Sequence, residues 1–197
     1  MAVIATSTNM ASLFTSLMCH DPVANAKGQK NALISQQDGQ PAYWTLSSSV
    51  KPLFQPSSFN STDNGRKSLC LSVPPEVMEE AASLDSWAVC FAHHHSERLF
   101  GKPLTLEQVK ERYMGVVKTH DKYPAYVKVK IAVDLRNQPL YWTPEKTKRG
   151  PPDDWVESEL MCQFKIAGFW FMSSSFGLSV QLANAQVTDA APQVCPF

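Results

Sequence analysis

Two apolar runs near the C-terminus, "FKIAGFWF" and "FGLSVQLANAQV", constrain the fold more than any other part of the chain. In each run an apolar residue recurs at about every second position, which predicts strands that bury one face. The polar run "MSSS" between them and the glycine that follows predict a tight connection between neighbouring strands. We therefore predict three C-terminal strands, over 159–167, 168–172 and 176–187.

The alternation also assigns these side chains to faces of the sheet. The predicted core positions are Ile166, Leu178, Val180 and Leu182. Phe169, Trp170 and Phe171 are consecutive, so they cannot all point inward. At least one of them lies on an exposed face, which would be either a binding groove or a protein interface.

The remaining strands are predicted from alternation and turn signals over 32–36, 42–46, 68–73, 126–133 and 139–143. Asp38-Gly39 is a hairpin turn signal between the first two of these strands. Residues 52–65 are rich in Pro, Ser and Asn, a composition typical of a long loop.

Two helices are predicted between the N-terminal and the C-terminal strands. Pro75 suits the first position of a helix that runs to about residue 99 and ends at Gly101. Thr105 and Gln108 form the capping-box pattern of a second helix, which is predicted to end near Lys118. Strands with short turns and one two-helix insertion predict a mainly β (α+β) fold, an antiparallel barrel or sandwich.

The two ends of the chain are predicted to lie outside this domain, which spans 31–187. Residues 1–26 carry a single charge, Asp21, and lack the basic start of a secretory signal. Residues 1–30 are therefore expected to form a mobile arm or a short added strand, and residues 188–197 a tail. No apolar run reaches the length of a membrane span.

The five cysteines are odd in number, widely scattered and without C-x-x-C spacing. This pattern argues against a zinc knuckle and against a secreted disulfide framework. It favours buried, reduced thiols in an intracellular protein that is not secreted.

Charge is balanced overall but distributed unevenly along the chain. Lys and Arg number 18, as do Asp and Glu. The segment 102–149 contains eleven Lys or Arg against five acids, whereas 76–97 contains five acids and neither Lys nor Arg. A local basic field indicates an anionic partner, although the solvated faces of two elements would give the same counts.

The strand "YVKVKIAV" combines a buried face with a cationic one. Val127, Val129 and Ile131 fall on one side, whereas Lys128 and Lys130 fall on the other. The pattern by itself favours a half-buried strand with solubilising lysines, and the functional alternative is a sheet face that presents cations to a ligand.

The segment "WTPEKTKRGPPDDW" places aromatic residues beside a basic loop. Tyr141 and Trp142 precede Lys146, Lys148 and Arg149. Single-stranded nucleic acid requires both features, because cations hold its backbone and flat rings stack on its bases. Adjacent residues point oppositely in a strand, so one of the two aromatics is expected in the core.

Catalytic and metal-binding signatures are weak. The run His93 to His95 spreads around a helix, whereas helical metal ligands usually stand four residues apart. The chain has no G-x-S-x-G motif and no glycine-rich phosphate loop. We therefore predict no cofactor, no resident metal and no enzymatic activity.

A resemblance to a known family rests on motifs that span most of the chain. They are "AYWTL", "GRKSLCLSV", "LDSWAV", "LFGKPLTLEQVKERYMGVVK", "KYPAYVKVKI" and "FKIAGFWFMSSSFGLSVQLANAQV". Over residues 30 to 187 the chain resembles the single-stranded DNA-binding proteins of large eukaryotic DNA viruses and their protist relatives. That family has an OB-fold-like β-barrel.

The resemblance implies sequence-tolerant binding of single-stranded DNA, with RNA as a second candidate strand, in replication, recombination or repair. Carried onto matching positions, it implies contacts from Trp44, Lys128, Lys130, Trp142 and Trp170. Tyr141 and the loop cations Lys146, Lys148 and Arg149 join them on the sequence pattern alone.

The resemblance also bears on partners and location. It implies an intracellular protein in the nucleus or at a viral replication site. Separately, the chain-end "PF" is similar to the tips of bacterial single-stranded DNA-binding proteins, which recruit partners, although the acidic stretch that precedes those tips is missing here. On that similarity the C-terminal tail is a candidate for recruiting replication proteins. A homo-oligomer is compatible with the sequence. The alternative hypothesis is a β-sandwich scaffold or virion component that uses the aromatic face as a protein interface.

Overall fold

The structure is a computed structural model that describes residues 9–25, 28–58, 66–132 and 137–189. The four helices over these residues are α1 Met10–Ser16, α2 Pro75–His94, α3 Ser96–Phe100 and α4 Leu106–Arg112. The strands up to α2 are β1 Leu17–Cys19, β2 Val23–Ala24, β3 Lys30–Gln36, β4 Ala42–Thr45, β5 Lys51–Pro52 and β6 Arg66–Ser72. Those after α4 are β7 Val117–His120, β8 Tyr123–Ala132, β9 Leu140–Trp142, β10 Lys148–Arg149, β11 Glu159–Phe171 and β12 Phe176–Thr188.

The twelve strands form one large mixed sheet with the order β1-β3-β11-β12-β8-β6-β5. β4 also pairs with β11, β9 pairs with β12 and β10, β2 pairs with β3, and β7 pairs with β8. β12 pairs in parallel with β8 and β9, and the other ladders are antiparallel. The prediction of a mainly β fold is confirmed, whereas the prediction of a purely antiparallel sheet is wrong.

The hairpin of β11 and β12 organises the sheet, and Gly168 lets β11 serve two partners. β11 pairs with β4 over Gln163–Ile166 and with β3 over Gly168–Phe171. Gly168 has φ 147°, and a Cβ there would lie 2.2 Å from the Ala32 carbonyl oxygen. Only glycine fits this close approach. The two strands predicted over 159–172 are therefore one bent strand.

The core lies between the sheet and α2. Val77, Ala81 and Leu84 of α2 are fully buried, as the helical spacing predicts. Trp87 of the same helix stacks with Phe169 of β11 at 6.2 Å between ring centroids. Ile166, Leu178, Val180 and Leu182, the predicted core residues of the hairpin, are all buried.

Both predicted helices extend further along the chain than the observed ones. The first helix breaks at His95, after which α3 ends at Gly101, whose φ of 76° makes it the C-cap. The predicted capping box of Thr105 and Gln108 is present at the start of α4. α4 ends at Arg112 because Tyr113 turns to extended backbone, where its hydroxyl donates to Asp85 Oδ1 of α2 at 2.7 Å.

The stretch after α4 becomes a strand that sequence periodicity missed. The backbone N–H groups of Val116 and Val117 donate to the same Asp85 carboxylate, at 2.8 Å and 3.3 Å. A Cβ on Gly115 would lie 2.8 Å from that carboxylate. Asp85 therefore holds the backbone of residues 115–117 against α2. β7 begins at Val117, directly at this contact.

The N-terminal segment is a structured part of the fold over the residues that are described. β1 pairs with β3, and Leu13, Leu17 and Cys19 are buried in the core. Phe14 stacks on Trp87 at 5.7 Å. Within residues 9–25, β1 forms the short added strand that was one of the two expectations for this segment.

Some predictions fall outside the described residues. They concern residues 59–65 of the predicted long loop, Val133 at the end of a predicted strand, Cys195, and the tail from 190 to 197. Among the described cysteines, Cys19 and Cys162 are buried free thiols as predicted, whereas Cys90 is exposed. No helix in the described ranges is long and apolar enough to cross a membrane.

Candidate nucleic-acid interface

The sheet has one face packed toward α2 and another that points away from it. Because strand residues alternate, the side chains between the buried positions lie on the second face. We call this second surface the open face. It carries Tyr43, Tyr126, Lys128, Lys130, Trp142, Lys148, Gln163, Lys165, Trp170, Ser179, Gln181 and Asn184.

A transverse row of residues crosses the open face in register. Tyr43 pairs with Lys165, Lys165 with Gln181, Gln181 with Lys130, and Lys130 with Ser68. Four strand spacings of about 4.8 Å make this row about 19 Å long. It therefore presents one aromatic ring, two cations and two uncharged polar groups side by side.

Lys128 and Lys130 stand on the open face as the sequence predicted. Lys128 is exposed and pairs across the sheet with Cys70. Lys130 is half-buried, and its ammonium donates to Ser179 Oγ at 3.1 Å. Burial raises the pKa of the neighbouring Cys70 thiol, while the charge of Lys128 opposes that shift.

A chain of hydrogen bonds holds Trp142 against the sheet. Trp142 Nε1 donates to Asn184 Oδ1 at 3.3 Å, and Asn184 Nδ2 donates to Gln163 Oε1 at 2.8 Å. Gln163 Nε2 then donates to Thr45 Oγ1 at 3.0 Å. Each amide is thereby fixed in orientation, so the half-buried indole is preorganised rather than free to rotate.

Trp170 lies at the other end of the open face and is held differently. A Cβ on Gly177 would lie 2.8 Å from Cζ2 of the Trp170 indole, so the ring lies directly over the glycine backbone. Its Nε1 donates to the Leu178 carbonyl oxygen at 3.3 Å. From Gln163 to Trp170 the strand rises roughly 23 Å, at about 3.3 Å per residue.

The basic loop is a small hairpin formed by β9 and β10. Lys148 pairs with Trp142 and shares its face, and Lys146 occupies the turn with φ 64°. The hairpin is tied to the sheet because Gln186 Nε2 donates to the Pro144 carbonyl oxygen at 3.0 Å. Both lysines are exposed.

Arg149, the third predicted loop cation, is engaged by an acid. Its guanidinium forms an ion pair with the Asp189 carboxylate, and its side chain is 21% exposed. The structure therefore leaves Lys146 and Lys148 exposed on the β9–β10 hairpin, with Lys148 on the open face beside Trp142. It gives Arg149 a role in joining the hairpin to the end of β12.

Cations dominate the described strands, whereas the described helices carry seven acids against three cations, Arg98, Lys110 and Arg112. The cations within the described strands are Lys30, Lys51, Arg66, Lys67, Lys118, Lys128, Lys130, Lys148, Arg149 and Lys165. Glu159 is the one acid in those strands, and Lys51 pairs with it at 3.3 Å. The acids of the described helices are Glu76, Glu79, Glu80, Asp85, Glu97, Glu107 and Glu111.

Two predicted contact residues lie in the core. Trp44 is completely buried, and its Nε1 donates to Glu80 Oε2 of α2 at 2.8 Å. Tyr141 is 7% exposed and packs edge-on against Trp155, and burial raises the pKa of its phenol. Neither ring is accessible to a base, so neither residue belongs to the candidate interface. For Tyr141 this outcome was anticipated, because one ring of the pair had to be core.

The open-face residues that the sequence did not single out include three members of the transverse row. Tyr43 precedes Trp44, and Lys165 stands between the buried residues Phe164 and Ile166. Gln181 lies between two buried residues of β12 in the same way. The alternation itself would have identified all three, had the phase of each strand been applied to every polar or aromatic position.

The histidine run does not form a metal centre within the described chain, where no cluster of three metal-ligating side chains occurs. His94 and His95 line an open surface cavity of about 390 Å³ together with Glu97 and Arg98. Burial lowers the pKa of His95, and the nearby charges of Arg98 and His94 add to the effect. The His94 ring nitrogen Nδ1 lies 2.8 Å from the Cys90 carbonyl oxygen.

The chain matches no protein-family model and no curated protein. Among solved structures it is similar to the single-stranded DNA-binding protein from bacteriophage Enc34, with TM-score 0.48 and 11% identity over 91% of this chain and 94% of that chain. The same phage protein in complex with single-stranded DNA gives TM-score 0.47 and 10% identity, over 87% and 96% of the two chains. Its C-terminal truncation gives 0.49 and 11%, over 89% and 98%. Likenesses of this strength assign no family to the chain.

Proposed function

We propose that this protein binds single-stranded DNA without strong sequence preference, through the open face. The observation that carries the proposal is the combination of cations, accessible aromatic rings and neutral amides on one sheet face. Its one acid among the described strands, Glu159, is neutralised by Lys51. A strand of nucleic acid requires this combination, because its phosphates need cations and its bases need flat surfaces.

The proposed binding mode follows the geometry of the face. Lys128, Lys130 and Lys165 contact phosphates across the centre of the sheet. Trp142 and Trp170, at opposite ends of the open face, act as the two stacking platforms. Lys146 and Lys148 approach the ligand from the β9–β10 hairpin. These contacts depend on the charge of the phosphate backbone, which does not vary with sequence, and on the flat rings that all four bases have. The proposed binding is therefore tolerant of sequence.

We further propose that the sheet curls into an OB-like barrel. Supporting this, the backbone N–H of Val50 donates to the Leu160 carbonyl oxygen and the N–H of Leu160 donates to the Val50 carbonyl oxygen, both at 2.9 Å. The N–H of Leu46 donates to the Cys162 carbonyl oxygen at 3.0 Å. These bonds continue the β4–β11 ladder as far as Val50, which directly precedes β5, and β5 lies four positions from β11 in the strand order.

The biological setting proposed is replication, recombination or repair, where single strands are exposed inside the cell, in the nucleus or at a viral replication site. The role is that of a non-enzymatic binding protein without a cofactor. RNA is a second candidate ligand, since the contacts proposed above involve phosphates and rings that both polymers have. Recruitment of replication proteins by the C-terminal tail remains part of the proposal.

A fluorescence titration tests the proposal. Binding of a dT oligonucleotide should quench tryptophan emission, because Trp142 and Trp170 would stack on bases. Affinity should fall steeply between low and high salt as phosphate contacts release counterions. Absence of quenching together with absence of a labelled-oligonucleotide anisotropy change at low salt would refute the proposal.

A second candidate function, a structural or interaction protein, is favoured by exposed apolar side chains at the β1–β3 edge. Met18, Val23 and Leu33 are 45%, 70% and 65% exposed. Under this hypothesis the aromatic face and this edge form a protein interface. Light scattering that reveals concentration-dependent assembly, with no oligonucleotide binding, would support it over the first candidate.

A further inference from the structure

Gln181 occupies the centre of the transverse row, between Lys165 of β11 and Lys130 of β8. It is half-buried. Its carboxamide makes no hydrogen bond to any other described residue. Since no buried side-chain nitrogen or oxygen of the described residues lacks a hydrogen-bond partner, the atoms of this unpartnered amide are reached by solvent and are available to a ligand.

The other amides of β11 and β12 are already engaged. Gln163 and Asn184 belong to the chain of hydrogen bonds that holds Trp142. Gln186 donates to the carbonyl oxygens of Thr143 and Pro144 in the hairpin. Gln181 therefore differs from these amides because it makes no hydrogen bond within the described residues, although it has the same chemistry and lies on the same face.

A carboxamide offers one acceptor oxygen and N–H donors beside it. The Watson–Crick edge of every base also presents a donor next to an acceptor: N6–H and N1 in adenine, N4–H and N3 in cytosine, N3–H and O4 in thymine, N1–H and O6 in guanine. By turning over, one glutamine amide can match any of them. In a duplex this edge is occupied by the paired base.

We propose that Gln181 hydrogen-bonds the Watson–Crick edge of whichever base lies over the centre of the open face. It thereby selects unpaired bases without selecting among them. The neighbouring lysines only donate, and they recognise the backbone, which a duplex also presents. This inference rests on the proposed function, and it assigns to one residue the discrimination between a single strand and a duplex.

The test compares Gln181→Leu with the unmodified protein on fluorescein-labelled dT, dA and dC oligonucleotides and on an abasic strand of equal length, at one salt concentration. Loss of one or two hydrogen bonds of about 1 kcal/mol each should weaken binding to all three base-containing strands by roughly 5- to 30-fold. Affinity for the abasic strand should not change. The advantage of a single strand over a duplex of the same length should shrink by the same factor.

Gln40→Leu is the matched control, because its exposed amide lies in the turn before β4, outside the open face. That change should leave affinity for the base-containing and the abasic strands unaltered. Gln181→Met, which keeps an unbranched side chain, repeats the test if the leucine variant unfolds at the assay temperature.

Three results would overturn the inference: unchanged affinity of the Gln181 variants, an equal loss on the abasic strand, or a loss confined to one base. If the unmodified protein binds none of these strands, the proposed function itself fails. The two failures are therefore distinguishable in one experiment.

Discussion

The open face and the α2-covered face are built from the same strands, yet they differ in almost every physical property. The covered face is apolar and closed by a helix that carries Glu76, Glu79, Glu80 and Asp85 and no Lys or Arg. The open face carries lysines, aromatic rings and amides. The difference arises from strand alternation, because each strand delivers one set of residues to each side.

This comparison explains why neighbouring residues have opposite roles. Tyr43 and Trp44 are adjacent aromatics in β4, and Tyr141 and Trp142 are adjacent in β9. In each pair one ring is buried in the core and the other lies on the open face. Whether an aromatic residue can stack on a base is therefore decided by which side of the sheet its position faces, and not by the type of residue.

The largest expected effect separates the two members of the β4 pair. Trp44→Ala removes a fully buried indole and leaves Glu80 without its donor, so it should lower the free energy of unfolding by about 3–5 kcal/mol. Tyr43→Ala should leave that free energy within about 1 kcal/mol and weaken oligonucleotide binding. Urea denaturation and fluorescence anisotropy measure the two quantities. A stable Trp44→Ala protein that has lost binding would reverse the assignment of faces.

The second largest effects are expected at the two stacking platforms of the open face, Trp142 and Trp170. Trp142→Ala and Trp170→Ala should each weaken binding of a dT oligonucleotide by roughly 5- to 150-fold, since stacking contributes about 1–3 kcal/mol per base. Neither change should unfold the protein, because both rings are only half-buried. The control is Trp155→Phe on the covered side, which should leave affinity unchanged. A platform variant with unaltered affinity would remove that ring from the site.

The hairpin cations should change the salt dependence rather than abolish binding. Lys146→Gln with Lys148→Gln should flatten the slope of log affinity against log salt by about 1.4, if each lysine neutralises one phosphate. Arg149→Gln should add little, because Asp189 already neutralises that guanidinium. The slope is measured by anisotropy at several salt concentrations. A larger change from Arg149→Gln than from the lysine pair would show that its ion pair opens on binding.

The smallest expected effect is a difference in thiol reactivity between the faces. Cys70 lies on the β6 edge of the open face beside Lys128, whereas Cys90 is exposed on α2. A bound dT oligonucleotide should slow maleimide labelling of Cys70 several-fold and leave the rate at Cys90 unchanged. Peptide mass spectrometry resolves the two sites. Equal protection of both thiols, or protection of Cys90 alone, would contradict binding at the open face.

Much of this organisation was predictable from the sequence, because strand alternation is a local property. The faces of β8 and of β11 up to Ile166 follow from alternation, as Lys128 and Lys165 show, and the turn at Gly39 and the capping box at Thr105 are local signals as well. Trp170 reaches the open face because the register shifts between Ile166 and Gly168, which alternation does not predict. The assignment of Trp44 as a DNA contact came from the family resemblance and is wrong. The alternation within its strand places that side chain in the core.

The features that were missed depend on distant contacts. Asp85 ends α4 and starts β7 from more than 25 residues away, through hydrogen bonds that no sequence period records. The pairing of Arg149 with Asp189 joins positions 40 residues apart. The availability of Gln181 becomes apparent only once the partners of Gln163 and Asn184 are known.

The most direct test of the central claim compares two double variants that remove equal charge from opposite sides. Lys130→Gln with Lys165→Gln changes the open face, and Lys110→Gln with Arg112→Gln changes α4. Affinity for a labelled dT oligonucleotide should fall roughly tenfold for each open-face lysine at low salt, as expected for charge-assisted hydrogen bonds to phosphate. It should stay within about twofold for the α4 pair, whose charges are distant and screened. Equal losses, or a larger loss from the α4 pair, would contradict the assignment of the open face as the binding surface.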